Sequence, residues 1–297
     1  MKSSNFGESH SAVSIVNAIA TGKGAAIGIG LNCKIKAILI KRKSHRRVLL
    51  ESNVKDRHRL IETCVEYTER FLKSKIPENS AVSLSIQSEI PYAVGLKSSS
   101  AVSIACVTAI SNALDKKLDY RDILRISCLA SKGSGASITG AYDDASACLL
   151  GGFVVTDNYQ FKLLRHSRVP KSMGELALIR LPSGKKKYTS SVDAKAYSNL
   201  KQESMKAIDY ARRSKIAQAM MMNSIVQCVA LDYSFEPITF ALEEGATAAG
   251  ISGKGPAIAA FCQSSKIARA IEKRWIDESL SPLVILKTNI VQPERVY

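Results

Sequence analysis

A chain of 297 residues with 46% hydrophobic and 23% charged residues can bury a large core, as one big domain or two closely packed ones, which excludes a disordered tail protein. Its 42 Lys and Arg against 26 Asp and Glu give a net charge of +16, so the partners to expect are anionic, either nucleic acid or a negatively charged small substrate. No apolar run of about 18 residues is available to span a bilayer, and the first residues are neither Arg-rich nor followed by an apolar h-region, so a cytoplasmic protein without a targeting segment is expected.

Taken in chain order, the apolar residues of Ala12 to Ala20 predict a short helix stopped at Gly22, and the strict alternation from Ile27 to Leu39 predicts a long half-buried strand. Leu60, Ile61, Cys64, Val65, Phe71 and Leu72 recur at helical spacing before Pro77. Val82, Leu84 and Ile86 then alternate as a strand running into a Pro91 loop. Helices are expected at about 99 to 114 and 120 to 132, then a small-residue segment ending at Gly151-Gly152 and a strand at Phe153 to Val155. Beyond Asp157 the pattern predicts strands near 160 to 165, 175 to 181, 257 to 262 and 283 to 290, and helices near 193 to 212, 214 to 230, 236 to 248 and 265 to 278. No Pro/Gly/Ser linker divides the chain, so a soft boundary is set near 157.

The basic residues are dense only from Lys41 to Arg47 and at Lys185-Lys186-Lys187, without the interleaved aromatics of a single-strand stacking platform; both read as solvated loops. The seven cysteines (33, 64, 106, 128, 148, 228, 262) form no CxxC pair, and mostly apolar neighbours suggest reduced, buried thiols. The four histidines (10, 45, 58, 166) lie far apart without HxxxH spacing, which speaks against a structural zinc site.

The most informative stretch is Pro91, Tyr92, Ala93, Val94, Gly95, Leu96, Lys97, Ser98, Ser99, Ser100 and Ala101. A proline and a glycine turn the chain, three hydroxyls follow and an apolar helix begins. Such a helix start offers amide N–H groups without intrahelical partners and the positive end of a dipole, which is a phosphate site. The serines could instead simply cap the helix, although capping needs one serine. Lys97 either adds positive charge over phosphates or points to solvent. Asp143-Asp144 is a carboxylate pair in a Gly-rich setting, suited to holding and deprotonating an alcohol; adjacent acids also favour any helix N-terminus. Gly253-Lys254-Gly255 is either a second site loop or an ordinary turn.

A P-loop would need GxxxxGK followed by Ser or Thr, and a dinucleotide loop GxGxxG; neither is present. What remains, Pro-x-x-x-Gly-Leu-x-Ser-Ser, resembles the GHMP kinases. The resemblance extends to Ser14 to Ala26, similar to the first motif of archaeal-type shikimate kinases, and to Gly250-Ile251-Ser252-Gly253-Lys254-Gly255-Pro256-Ala257, similar to the third, so three motifs occur in order over residues 14 to 257. Lys97 and Ser100 depart from the common GLGSSAA form and are similar to the shikimate-kinase branch.

The resemblance implies an α+β GHMP kinase fold, with a ribosomal-protein-like, left-handed βαβ ATP-binding half (1–157) and a ferredoxin-like C-terminal half (158–297). It implies ATP and Mg²⁺ as cofactors and phosphorylation of a small hydroxy acid, shikimate before homoserine; a basic nucleic-acid-binding protein is the reading from another class. Ser99 matches the family serine that helps hold Mg²⁺ on the nucleotide phosphates. The family's catalytic aspartate lies seven residues before a glycine leading into a strand, which from Gly151 points to Asp144, with Asp143 second.

Overall fold

The computed structural model describes residues 5–41, 47–51, 58–183 and 194–297. Of the basic stretch Lys41 to Arg47 expected as a loop, Lys41 ends a strand and Arg47 pairs with Glu69 at 2.6 Å, while 42–46 lie outside the described residues, as do 185–187 and residue 193.

The long alternating segment becomes β2 (Lys23–Lys41), the spine of the first sheet. Cys33, Ile35 and Ala37 face the core while Lys34 and Lys36 face water, the outcome that period-2 alternation dictates. Along one edge β2 pairs antiparallel with β1 (Phe6–Val16). Along the other, its start pairs with β5 (Phe153–Asp157) and its end with β4 (Ser80–Ser88). β3 (Val48–Glu51) joins β4 in parallel, and β6 (Lys162–Ser167) joins β5 antiparallel. Helices α1 (His58–Leu72), α2 (Ser98–Ala113), α3 (Tyr120–Gly133) and α4 (Tyr142–Leu150) cover this sheet. α2 is apolar on every side because it lies on β1 and β2 beneath α1 and α3.

The second sheet runs β10-β7-β9-β8, from β7 (Leu176–Pro182), β8 (Ala248–Ile251), β9 (Ile258–Cys262) and β10 (Leu283–Asn289), all antiparallel. Helices α5 (Ala194–Ser198), α6 (Lys201–Arg212), α7 (Ile216–Leu231) and α8 (Glu236–Glu243) connect β7 to β8, and α9 (Ser265–Asp277) connects β9 to β10. This βαββαβ succession with the last strand beside the first is ferredoxin-like. α9 buries Ala268, Ile271 and Trp275, a single helical stripe, against the sheet.

The two sheets share one hydrophobic core, which runs from Ile27 through Met220 to Ile179. Val291 donates to Gly28 O at 2.9 Å and accepts from Gly152 N at 2.7 Å, stitching the end of the chain to the first sheet. The boundary expected near 157 falls in the turn between the paired strands β5 and β6, so the first sheet continues to Ser167. No helix among the described residues is long and apolar enough to cross a membrane.

Three expectations are corrected. Ala12 to Val16 belong to strand β1, and Asn17 to Gly22 turn into β2; Ala12, Val13, Ile15 and Val16 are all buried, so both faces are apolar and the alternation that would mark a strand is erased. The helix expected to reach 248 ends at Glu243, because Gly245 takes a left-handed φ of 94° and the short strand β8, buried on both faces, follows. The small-residue segment before Gly151 contains a complete helix, α4.

Candidate active site

The three sequence motifs meet at one cavity of about 320 Å³. Its walls come from the end of β1, the loop before α2, the start of α2, the loop ahead of α4, the start of α4 and the Gly253-Lys254 turn.

The loop before α2 is shaped by three residues of positive φ, Ala93, Gly95 and Lys97. At Gly95 (φ 96°) a Cβ would lie 2.2 Å from Ser252 O, so only glycine lets the second and third motifs touch. Lys97 (φ 60°) occupies the N-cap of α2 in the left-handed region, a conformation that costs a non-glycine residue about 1–2 kcal/mol. It makes no side-chain cap, and the first intrahelical bond runs from Ala101 N to Lys97 O. Ser98, Ser99 and Ser100 therefore sit one to three residues inside the helix and are not its N-cap. Ser98 and Ser100 are buried, whereas Ser99 is part-exposed on the cavity.

Ser252 ties all three motifs together. Its hydroxyl donates to Gly95 O at 2.8 Å and accepts from Ser14 N at 3.1 Å, and Ala257 N donates to Val94 O at 3.0 Å nearby. Gly253 takes a left-handed φ of 61° and packs against Gly95 and the end of the Lys97 side chain.

α4 places the carboxylates. Its N-cap, Ala141, is left-handed (φ 53°) and has no side chain able to cap; Asp143 and Asp144 fill the first turn. Lys97 Nζ lies 3.1 Å from Asp144 Oδ1, with side-chain exposures of 7% and 19%. This is an ion pair by distance, yet Asp144 Oδ1 receives no well-aligned hydrogen bond and keeps acceptor capacity.

Asp143 is 3% exposed. Its carboxyl is pushed up to about 7, first by burial and then by the charge of Asp144, with Lys97 and the Asn158 hydrogen bond pulling the other way. A helix dipole is worth about 0.3–1 kcal/mol to an acid in this position, whereas a rise of roughly three units corresponds to about 4 kcal/mol. At Asp143, burial therefore outweighs the helix dipole. Lys254, also on the cavity, is pushed down to about 8 by burial and then by Lys97.

Of the residues singled out from sequence, Tyr92, Ala93, Gly95 to Ser100, Asp143, Asp144, Gly253 and Lys254 line the cavity. Pro91, Val94 and Ala101 stand behind the wall as parts of the loop and helix, and Gly255 sits beneath the Tyr233 ring, where a Cβ would lie 2.9 Å from Cε2. Sequence reasoning missed Thr139 and Asn158. Asn158 Nδ2 donates to Asp143 Oδ1 (2.8 Å) and Thr139 Oγ1 (3.1 Å). Its position just past a strand carries no pattern that would have flagged it. Among the described residues, the cations lining the cavity are Lys97 and Lys254, and no cluster of three His, Cys, Asp or Glu side chains could hold a metal alone.

A sequence model of the GHMP kinases N terminal domain matches residues 59–152, and that of the GHMP kinases C terminal region matches 202–280. The chain belongs to the GHMP kinases. This GHMP kinase is 36% identical over 265 residues to the shikimate kinase of Methanosarcina acetivorans, covering 88% of this chain and 85% of that one. It is 31% identical to the shikimate kinase of Pyrococcus furiosus, covering 91% of this chain and 94% of that one. Its fold superimposes on the mevalonate kinase of Methanococcus jannaschii with a TM-score of 0.72 at 16% identity, over 96% and 98% of the two chains. The GHMP kinase fold is thus shared beyond sequence similarity, and the chain is an ATP-dependent phosphotransferase.

Proposed function

We propose that this kinase transfers the γ-phosphoryl group of ATP to the 3-hydroxyl of shikimate, giving ADP and 3-phosphoshikimate. The observation that carries the reading is the meeting, in one cavity, of an uncapped helix start with the Lys97–Asp144 pair. The acceptor is taken from the relatives above, which are named shikimate kinases over most of both chains.

In this reading the half 1–157 holds the nucleotide and the half 158–297 closes the site with Gly253-Lys254-Gly255. The α2 amides and Gly95 receive the phosphates. Asp144 holds the acceptor hydroxyl in line with the γ-phosphorus and takes its proton as the oxygen attacks and ADP leaves. Lys97 and Lys254 offset the charge that gathers on the transferred group. The part-exposed Ser99 hydroxyl is an oxygen donor that suits a hard cation carried mainly by phosphates, so Ser99 would hold Mg²⁺. When bound, Mg²⁺ neutralises the phosphate oxygens. Asp143, buried behind Asp144, supports it. The chain acts as a soluble, cytoplasmic enzyme.

The test is ADP release over a panel of hydroxyl acceptors. Shikimate supports robust turnover; an analogue lacking the 3-hydroxyl falls by on the order of 10³ or more in kcat/KM, since a site built to bind a hydroxyl rejects a ligand without it. Homoserine and mevalonate give essentially none. Efficient turnover of homoserine would overturn the acceptor while leaving the kinase intact, and a protein that binds nucleic acid with steep salt dependence and shows no ADP release would overturn both.

A further inference from the structure

Asn158 is fully buried and spends its whole hydrogen-bonding capacity at the back of the site. Nδ2 donates to Asp143 Oδ1 at 2.8 Å and to Thr139 Oγ1 at 3.1 Å. Oδ1 accepts from Asp143 N at 3.1 Å and from Thr156 Oγ1 at 2.7 Å. The backbone is fixed as well, Asn158 N donating to Gly22 O at 2.8 Å. The orientation of the amide is dictated, because the reverse placement would set an NH₂ group against the Asp143 N–H.

These bonds do two jobs. Ala141 cannot cap α4, so Asn158 Oδ1 takes an orphan N–H of its first turn from outside the helix. Asn158 Nδ2 holds one oxygen of the Asp143 carboxylate while Gly24 fits against the other, where a Cβ would lie 2.0 Å from Oδ2. Asp144 follows Asp143 on the same turn. We propose that Asn158 is the positioning residue of the phosphoryl transfer: it caps α4 from across the fold and clamps Asp143, and so sets where Asp144 meets the acceptor hydroxyl. This rests on the phosphotransferase reading, not on the identity of the acceptor.

The ionisable groups facing Asp143 are Asp144 and Cys148 on its own helix, Lys97 ahead of α2 and Cys128 on α3; β2 presents Gly24 and β5 the uncharged Thr156. Asn158→Asp keeps the shape and the cap but replaces the donor facing Asp143 Oδ1 with a second carboxylate oxygen, which at such spacing requires a shared proton. The expected result is a kcat about tenfold lower or more at neutral pH, with KM for ATP little changed and the acid limb of the kcat profile moved up by about one unit. In the ligand-free protein the ¹³C resonance of the Asp143 carboxyl carbon titrates with its midpoint raised similarly, whatever the acceptor proves to be.

A milder pair guards against misfolding. Thr156→Val removes the hydroxyl that holds the Asn158 carboxamide and lowers kcat, and Thr156→Ser restores it. Wild-type kcat, KM and pH profile in Asn158→Asp or in Thr156→Val, with only stability lowered, would overturn the proposal and leave Asn158 a helix cap.

Discussion

Lys97 and Asp144 form an ion pair at 3.1 Å between the left-handed N-cap of one helix and the first turn of another. The pair links the loop before α2 to the start of α4, and its two partners can be tested separately.

On the proposed mechanism, Asp144→Asn removes the group that holds and deprotonates the acceptor. kcat is expected to fall by about 10² or more with KM for ATP little changed, because the interaction acts in the transition state. Asp143→Asn is expected to do less. Steady-state kinetics decide it; an inactive Asp143→Asn beside an active Asp144→Asn reverses the two roles.

Lys97 is asked for both a strained backbone and a charge, and two variants divide them. Lys97→Gly relieves the left-handed conformation, worth about 1 kcal/mol, while Lys97→Met keeps the strain. Both lose the ammonium. Thermal melts should separate the variants, and kcat should fall by about 10² in both; activity retained in either would show that the charge faces only structure.

Ser99→Ala deletes a cavity hydroxyl that does not cap α2. KM for Mg·ATP should rise while the melting temperature stays within a degree or two, since a surface change of this kind costs less than about 0.5 kcal/mol. A large stability loss with normal kinetics would mark the hydroxyl as structural.

For Asp143 the sign of the pH effect follows from its raised carboxyl, about 7 against 3.8. Between those values the folded protein binds more protons than the unfolded chain, so its stability falls as pH rises from about 4 to about 7 and levels off above, by on the order of a few kcal/mol. Asp143→Asn should flatten that slope in urea denaturation at pH 5 and pH 8. An unchanged slope would show that the carboxyl is not held in its neutral form.

Lys254 is depressed to about 8 on the cavity that the proposed function gives to the phosphates. Bound phosphates favour its charged form, so Mg·ATP binding near pH 8.5 should take up a proton, seen as buffer-dependent heats in titration calorimetry. Lys254→Met should abolish the uptake.

Most of the fold was legible because its elements keep their period. β2 alternates from Cys33 to Ala37, and α1, α3 and α9 each bury one stripe. What failed, the second half of β1 and β8, lies buried on both faces, where an apolar run carries no period to read. The site divides the same way. Gly95, Lys97, Ser99 and the Asp pair stand in ordered motifs, whereas Asn158 acts through partners brought near only by folding, and one asparagine after a strand has no spacing to betray it.

The hydroxyl of Ser252 reaches Ser14 across a sequence separation of 238 residues, as well as Gly95. The loop that cradles the nucleotide in the proposed reading therefore lacks this brace in a nascent chain that has made only its first sheet, and loop-closure entropy must be paid before the brace forms. On that reading nucleotide affinity is a late acquisition, and a ligand that binds the finished state alone draws incompletely assembled molecules toward that state by mass action.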